Sequence, residues 1–89
     1  MEAILHREAD KYLNRLNATD RNRINIAING LTKEPPEGDI TPIAEEPGRF
    51  RTRVGGYRIL WRIKDDRILV THIDPRGQVY NKKNKGKKR

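Results

Sequence analysis

The chain has 89 residues, of which 36% are charged and 34% hydrophobic, and its formal net charge is +8. This length predicts one domain with a modest core. The chain contains no cysteine, which excludes disulfides and thiolate metal sites, and no apolar run approaches the roughly 18 residues of a membrane span. The N-terminus lacks the basic start and apolar core of a signal peptide, so we expect a soluble cytoplasmic protein.

The positive charge is concentrated in two places. Residues 81–89 contain six basic residues and no acid, which leaves only +2 for the rest of the chain. Residues 34–46 hold five acids and no base, whereas residues 48–64 hold six bases and no acid. A folded basic patch and a basic tail both suit a polyanion, of which nucleic acid is the commonest. The tail is equally compatible with a role in solubility or in non-specific RNA contact.

The N-terminal half predicts a strand and two helices. Ala3–Leu5 is a short apolar run typical of a strand, and two stripes of apolar residues at helical spacing follow it. The stripes predict one helix over about residues 7–17 and a second that ends near Lys33, with Thr19 or Asp20 as its N-cap. We assign both stripes to the core. They consist of Ala9, Leu13, Leu16, Ile24, Ala27, Ile28 and Leu31.

The C-terminal half predicts a β-meander. Ile40–Ala44 is a weak strand candidate, and alternating runs around Gly55-Gly56 predict a hairpin over about residues 49–63. Asp65-Asp66 then turns the chain, and Ile68–Ile73 is β-branched and predicts a further strand that ends before Pro75.

These elements predict an α+β fold of one domain over residues 1–80. A short N-terminal strand comes first, and a two-helix hairpin packs on one face of a mainly antiparallel β-meander. We expect residues 81–89 to form a basic, flexible tail.

A two-glycine loop determines the register of the hairpin by counting. On one side the predicted pairs are Val54 with Tyr57, Thr52 with Ile59, and Phe50 with Trp61. On the other they are Arg53 with Arg58, Arg51 with Leu60, and Arg49 with Arg62. We assign the first side to the core and call the five arginines of the second the arginine face. Because like charges opposite each other across a strand pair are destabilising, we infer that this face meets an anion.

Metal and nucleophile chemistry find little support in the sequence. His6 and His72 lie far apart without ligand spacing, and we interpret each as structural. Gly55-Gly56 lacks the Lys-Ser/Thr that follows a phosphate-binding loop, and we interpret the acids of residues 34–46 as solvated surface. We expect no metal and no small-molecule cofactor.

Arginine and tyrosine remain as the side chains that could carry out a reaction. A guanidinium binds phosphate oxygens bidentately and stabilises negative charge that grows toward a transition state. In RNA a 2′-hydroxyl can attack its own neighbouring phosphate, and arginines with one tyrosine can assist that reaction. Their ordinary pKa values lie far from 7, so such an enzyme would depend on positioning, supplied for example by a larger partner.

Two motifs resemble the RelE/ParE toxin superfamily. Phe50–Trp61 is similar to the Y-R-x-R-x-G-x-Y-R-x-x-Y signature of RelE-type toxins of bacterial and archaeal toxin–antitoxin systems, and Asp74–Tyr80 to their closing G-H-R-x-x-V-Y. The resemblance covers residues 1–80. It implies a RelE-like fold and an mRNA interferase, an endoribonuclease that cuts mRNA in the A site of the 70S ribosome and is neutralised by a cognate antitoxin.

The resemblance also implies roles for single residues. Arg58 would contact the scissile phosphate, Arg76 would stabilise the transition state or protonate the leaving 5′-oxygen, and Tyr80 would stack on a base or orient the 2′-hydroxyl. Asp74-Pro75 replaces the usual Gly-His, and Asp74 would weaken the field at Arg76. The implied RNA-binding residues are Arg49, Arg51, Arg53, Arg62, Lys82 and Lys83. The alternative for the arginine face is a solvated strand face.

Two other functions stay open. ParE-type relatives share the fold, lack the nuclease residues and poison DNA gyrase, which the presence of Arg58, Arg76 and Tyr80 argues against. A non-catalytic RNA- or ribosome-binding module would be satisfied by the net charge alone.

Overall fold

In the computed structural model, which describes residues 1–75, two helices pack on a five-stranded sheet. The elements are β1 (Glu2–Leu5), α1 (Arg7–Arg15), α2 (Ala18–Leu31), β2 (Asp39–Pro42), β3 (Arg49–Val54), β4 (Tyr57–Lys64) and β5 (Arg67–Pro75). The strand order is β1-β5-β4-β3-β2, with β1 parallel to β5 and every other neighbouring pair antiparallel. The predicted α+β fold is confirmed. The predicted tail lies outside the described residues.

The core lies between the helices and one face of the sheet. Its helical half consists of Ala9, Leu13, Ile24, Ile28 and Leu31, all buried, which confirms the two predicted stripes. Its sheet half consists of Ile59, Trp61, Ile68, Val70 and Ile73. No helix within residues 1–75 is long and apolar enough to cross a membrane.

The second helix starts earlier than the sequence pattern predicted. Its N-cap is Asn17, whose side-chain Oδ1 accepts a hydrogen bond from the backbone N–H of Asp20 at 2.8 Å, so the prediction of Thr19 or Asp20 as cap was wrong. Asn, Thr and Asp are all residue types preferred at an N-cap, and this preference does not choose between neighbouring positions. The shift leaves the Asp20 carboxylate available to other partners.

The hairpin register is confirmed at all six predicted pairs, from Val54–Tyr57 to Arg49–Arg62. Gly55 has φ 57°, and Asp65 and Asp66 of the next turn have φ 52° and 65°. In the second turn both central residues, Asp65 and Asp66, lie in the left-handed region. This is typical of a type I′ turn, which twists in the same sense as the strands. The two tight turns therefore set three strands side by side.

Strand β5 is longer than predicted and carries a bulge. It continues through Pro75, and its pairing skips one residue between Leu60–His72 and Trp61–Val70, so Thr71 has no partner in β4. A bulge reverses which residues of a strand point to each face. Val70 and Ile73 both face the core, and His72 and Asp74 share the opposite face with Leu60 and Arg58.

Candidate functional site

The arginine face lies on the side of the sheet away from the helices. Arg53 is exposed, whereas the other four arginines are half-buried, and Arg53 and Arg58 oppose each other as predicted. The buried Nε atoms of Arg51 and Arg62 have no hydrogen-bond partner within residues 1–75. Because a buried donor without a partner costs about 1–3 kcal/mol, an anion that accepts from these groups would recover that free energy.

Carboxylates flank the opposed arginines. Asp39 in β2 pairs with Arg53, and Asp74 in β5 pairs with Arg58, which gives the row Asp39–Arg53–Arg58–Asp74 across four strands. We call these four residues the charge row. Asp39 is exposed, as the interpretation of these acids as solvated surface predicted, but it belongs to β2 and not to a loop. Opposite charges across neighbouring strands attract by about 0.2–1 kcal/mol, so we expect the two carboxylates to offset part of the repulsion between Arg53 and Arg58.

The guanidinium of Arg49 forms hydrogen bonds within the protein. Its Nη1 donates to Glu46 Oε1 at 2.7 Å, and its Nη2 donates to Thr71 Oγ1 at 3.0 Å. Its predicted role in RNA binding stays a prediction, but the guanidinium already has two partners. Among the arginines of β3, Arg51 and Arg53 have the more available heads.

A depression of about 260 Å³ adjoins Arg49 at the bulge of β5. It is lined by His6, Glu8, Arg49, Arg62, Thr71 and His72. Thr71 Oγ1 donates to the carbonyl oxygen of Leu60 at 3.2 Å and lies 3.2 Å from Nδ1 of His72. His6 differs from His72, because its Nδ1 accepts from the N–H of Glu8 and caps α1.

His72 was not predicted as a neighbour of the arginines. Simple alternation from Ile68 and Val70 would point His72 into the core, and only the bulge turns it outward. The available signal was a change of phase: Ile73, rather than the residue before it, resumes the apolar series.

The aromatic residues of the hairpin belong to the core side, as predicted. Trp61 is buried, stacks on Phe50 with ring centroids 4.7 Å apart, and donates from Nε1 to Thr52 Oγ1 at 2.8 Å. Tyr57 donates from its hydroxyl to Asp20 Oδ2 at 2.7 Å, which joins β4 to the start of α2. This hydrogen bond, together with burial, raises the pKa of Tyr57.

A second tyrosine lies in a small depression between α1 and the end of β5, beside Asp74 and His72. Burial raises the pKa of Tyr12, and the charges of Asp74 and Asp20 add to the effect. Tyr12 therefore stays a neutral phenol between α1 and β5.

Four predicted site residues, Arg76, Tyr80, Lys82 and Lys83, lie outside the described residues, and their roles stay predictions. Within the described part of the chain, no group of three or more histidine and acidic side chains is placed to hold a metal ion.

Comparison with known proteins gives the family. The sequence profile of the ParE toxin of type II toxin-antitoxin system, parDE, matches residues 3–80. The comparison with curated proteins gave no match.

Solved structures share the fold at low sequence identity. The toxin–antitoxin complex RelB-RelE of Methanococcus jannaschii matches with a TM-score of 0.72 and 23% identity, over 89% of this chain and 96% of that chain. The archaeal RelE-RelB complex of Pyrococcus horikoshii OT3 gives 0.72 and 23%, over 86% and 96%. The RelBE complex of E. coli gives 0.70 and 16%, over 83% and 94%. The chain is therefore a type II toxin–antitoxin toxin and belongs to the ParE toxin family, within the RelE/ParE superfamily.

Proposed function

We propose that this toxin is a ribosome-dependent endoribonuclease, an mRNA interferase that cuts mRNA in the A site and so inhibits translation in the cytoplasm. The observation that carries the proposal is the arginine face itself. It combines Arg58 on a central strand with Arg51 and Arg62, whose buried Nε atoms have no partner within residues 1–75. Phosphate oxygens are the natural acceptors for such donors.

The reaction proposed is an attack of the 2′-hydroxyl on the adjacent phosphorus. The new 2′-oxygen bond forms as the bond to the 5′-oxygen breaks, which leaves a 2′,3′-cyclic phosphate and a 5′-hydroxyl. Arg58 stabilises the negative charge that grows on the phosphoryl oxygens. Arg76 assists the leaving 5′-oxygen, and Tyr80 holds the nucleotide. The ribosome supplies the mRNA in a fixed conformation, which suits an enzyme that depends on positioning.

The test uses ribosomes arrested on a defined mRNA, with mapping of the mRNA ends. We expect cleavage by the wild-type protein and a loss of at least about 100-fold in the Arg58→Ala, Arg76→Ala double variant. Arg67→Ala is the matched control, because Arg67 is an exposed arginine of the same sheet that contacts Glu2 at 3.5 Å, outside the arginine face. Intact mRNA with wild-type protein, or equal cutting by the double variant, contradicts the proposal.

Inhibition of DNA gyrase is the second candidate. The observation in its favour is that the matching profile is that of the ParE toxin, and the acidic residue Asp74 lies opposite Arg58 in the sheet. A supercoiling assay separates the two functions, since inhibition of gyrase together with intact ribosome-bound mRNA would reverse the ranking.

A non-catalytic RNA- or ribosome-binding module is the third candidate. It predicts steeply salt-dependent RNA binding and an equal effect of Arg58→Ala and Arg62→Ala. Selective loss of cleavage at Arg58 excludes it.

The partner proposed for the free toxin is a cognate antitoxin protein. The solved structures of similar fold are complexes of RelE with RelB, which supports a partner of this class. An antitoxin segment that covers the arginine face should be acidic, because it must offer acceptors to Arg51 and Arg62. Co-expression with the neighbouring reading frame, followed by co-purification in low and high salt, tests this.

A further inference from the structure

The bulge at Thr71 places the imidazole of His72 on the same side of the sheet as the arginine face. His72 pairs with Leu60, which is two residues from Arg58 in β4. Diagonal neighbours of this kind have Cβ atoms roughly 7–8 Å apart, a span that long side chains can bridge. His72 is exposed, so its ring is open to a ligand on that face.

The hydrogen bonds of Thr71 favour one tautomer of the His72 ring. A hydroxyl has one hydrogen to donate and two lone pairs to accept with. Thr71 donates that hydrogen to the Leu60 carbonyl oxygen and accepts from Arg49 Nη2. Its remaining contact lies 3.2 Å from Nδ1 of His72, and all three contacts are satisfied together only when Nδ1 is the donor. In the neutral ring the free lone pair is then on Nε2.

The proposed cleavage needs a proton acceptor for the 2′-hydroxyl. Arginine stays protonated at any physiological pH, and the ordinary pKa of tyrosine lies near 10. Imidazole is the side chain whose ordinary pKa lies nearest neutrality, and its usual role in catalysis is general acid–base work. His6 lines the same depression, but its Nδ1 accepts a hydrogen bond in the α1 cap, which puts the hydrogen of its neutral ring on Nε2 and leaves no free acceptor.

We propose that His72 is the general base of RNA cleavage on the arginine face and that Thr71 is the residue that positions it. This inference rests on the proposed function. Nε2 takes the proton of the 2′-hydroxyl, the 2′-oxygen bonds to phosphorus, and the 5′-oxygen leaves and takes a proton from water. His72 then releases its proton to solvent.

The charged and titratable groups near the His72 ring belong to four structural elements. They include both positive and negative groups. They are Arg49 of β3, Arg58 and Arg62 of β4, Asp74 of β5, and, from α1 and its cap, His6, Glu8, Lys11, Tyr12 and Arg15.

The first experiment is single-turnover cleavage on arrested ribosomes across pH. We expect His72→Gln to lower the maximal rate by about 100-fold or more, with the half-saturating protein concentration unchanged within about twofold. It should also remove the ionisation that limits the wild-type rate at low pH. His6→Asn is the control, because it removes the other imidazole and keeps a good helix cap. Thr71→Val should lower the rate, and Thr71→Ser should preserve it.

The second experiment does not depend on activity. Nitrogen-15 NMR of the neutral His72 ring should show the hydrogen on Nδ1 in the wild type, and a shift toward Nε2 in Thr71→Val. A wild-type ring with its hydrogen on Nε2 overturns the inference, whatever the activity. If the wild type cuts mRNA and His72→Gln cuts at the same rate, the inference falls and the nuclease function stands. If the wild type does not cut, both fall.

Discussion

At the scale of single residues, Thr52 is a buried polar residue whose hydrogen bond to Trp61 should make a measurable contribution to stability. It is 1% exposed, and its Oγ1 accepts from the indole Nε1 of Trp61 at 2.8 Å. Thr52→Val keeps the shape and leaves the indole N–H without a partner, which should lower the free energy of unfolding by about 1–3 kcal/mol. Thr41→Val, on exposed β2, should change it by less than about 0.5 kcal/mol. Equal urea midpoints for both variants would contradict this account.

Tyr57 should make stability depend on pH in the alkaline range. Its hydrogen bond to Asp20 raises its pKa in the folded state. The folded protein therefore holds the phenolic proton more tightly than the unfolded chain, so this contribution is fully present below the unfolded pKa of about 10 and is lost as pH rises through the folded pKa.

The measurement is urea unfolding of the wild type and Tyr57→Phe from pH 7 to 11. We expect the wild type to be more stable at neutral pH and the difference to shrink above about pH 10. A difference that stays constant across this range would show that the hydrogen bond does not contribute.

At the scale of elements, the two tight turns of the meander differ in how well their residues fit. Asp65 and Asp66 lie in the left-handed region, where a residue other than glycine costs about 1–2 kcal/mol. Replacing the pair by Asn-Gly should stabilise the fold by about 1 kcal/mol, because this dipeptide favours a type I′ turn. Thermal unfolding and urea titration measure the gain, and an unchanged midpoint would contradict it.

The Gly55-Gly56 turn allows the opposite test, a change from glycine to alanine, in which Gly56 serves as the control for Gly55. Gly55 has φ 57°, and a Cβ there would lie 2.5 Å from Nη2 of Arg23. Gly55→Ala should therefore destabilise the protein by about 1 kcal/mol or more. A Cβ on Gly56 meets nothing within 4 Å, so Gly56→Ala should be close to neutral. Similar losses at both glycines would mean that the turn as a whole, and not the φ of Gly55, sets the cost.

Sequence reasoning worked where one local rule decides the structure. The Gly55-Gly56 loop sets the hairpin register, and regular spacing identified both helical stripes, since each depends on neighbours along the chain. It failed where the answer depends on a partner strand. The position of Asp39 opposite Arg53 follows from a long connection, and the outward turn of His72 follows from a bulge that no turn residue announces.

At the scale of the whole molecule, the charge row connects the acidic and basic segments that the sequence showed separately. Asp39 and Asp74 each sit opposite an arginine of the central pair, so they compete with an incoming phosphate for Arg53 and Arg58. We therefore expect the arrangement to stabilise the free protein and to lower its affinity for a polyanion. If the proposed function is right, the same four residues affect folding stability and RNA binding in opposite directions.

Removing either flanking carboxylate should therefore tighten RNA binding and weaken the fold. A cross-strand charge pair contributes about 0.2–1 kcal/mol, so Asp39→Asn or Asp74→Asn should raise the affinity for RNA by up to about fivefold and lower the free energy of unfolding by a similar energy. Glu45→Gln changes the net charge equally at an exposed position outside the charge row. Binding isotherms at two salt concentrations, beside urea unfolding, compare the three. If Glu45→Gln tightens binding as much as the other two, net charge alone sets the affinity and the charge row has no specific role.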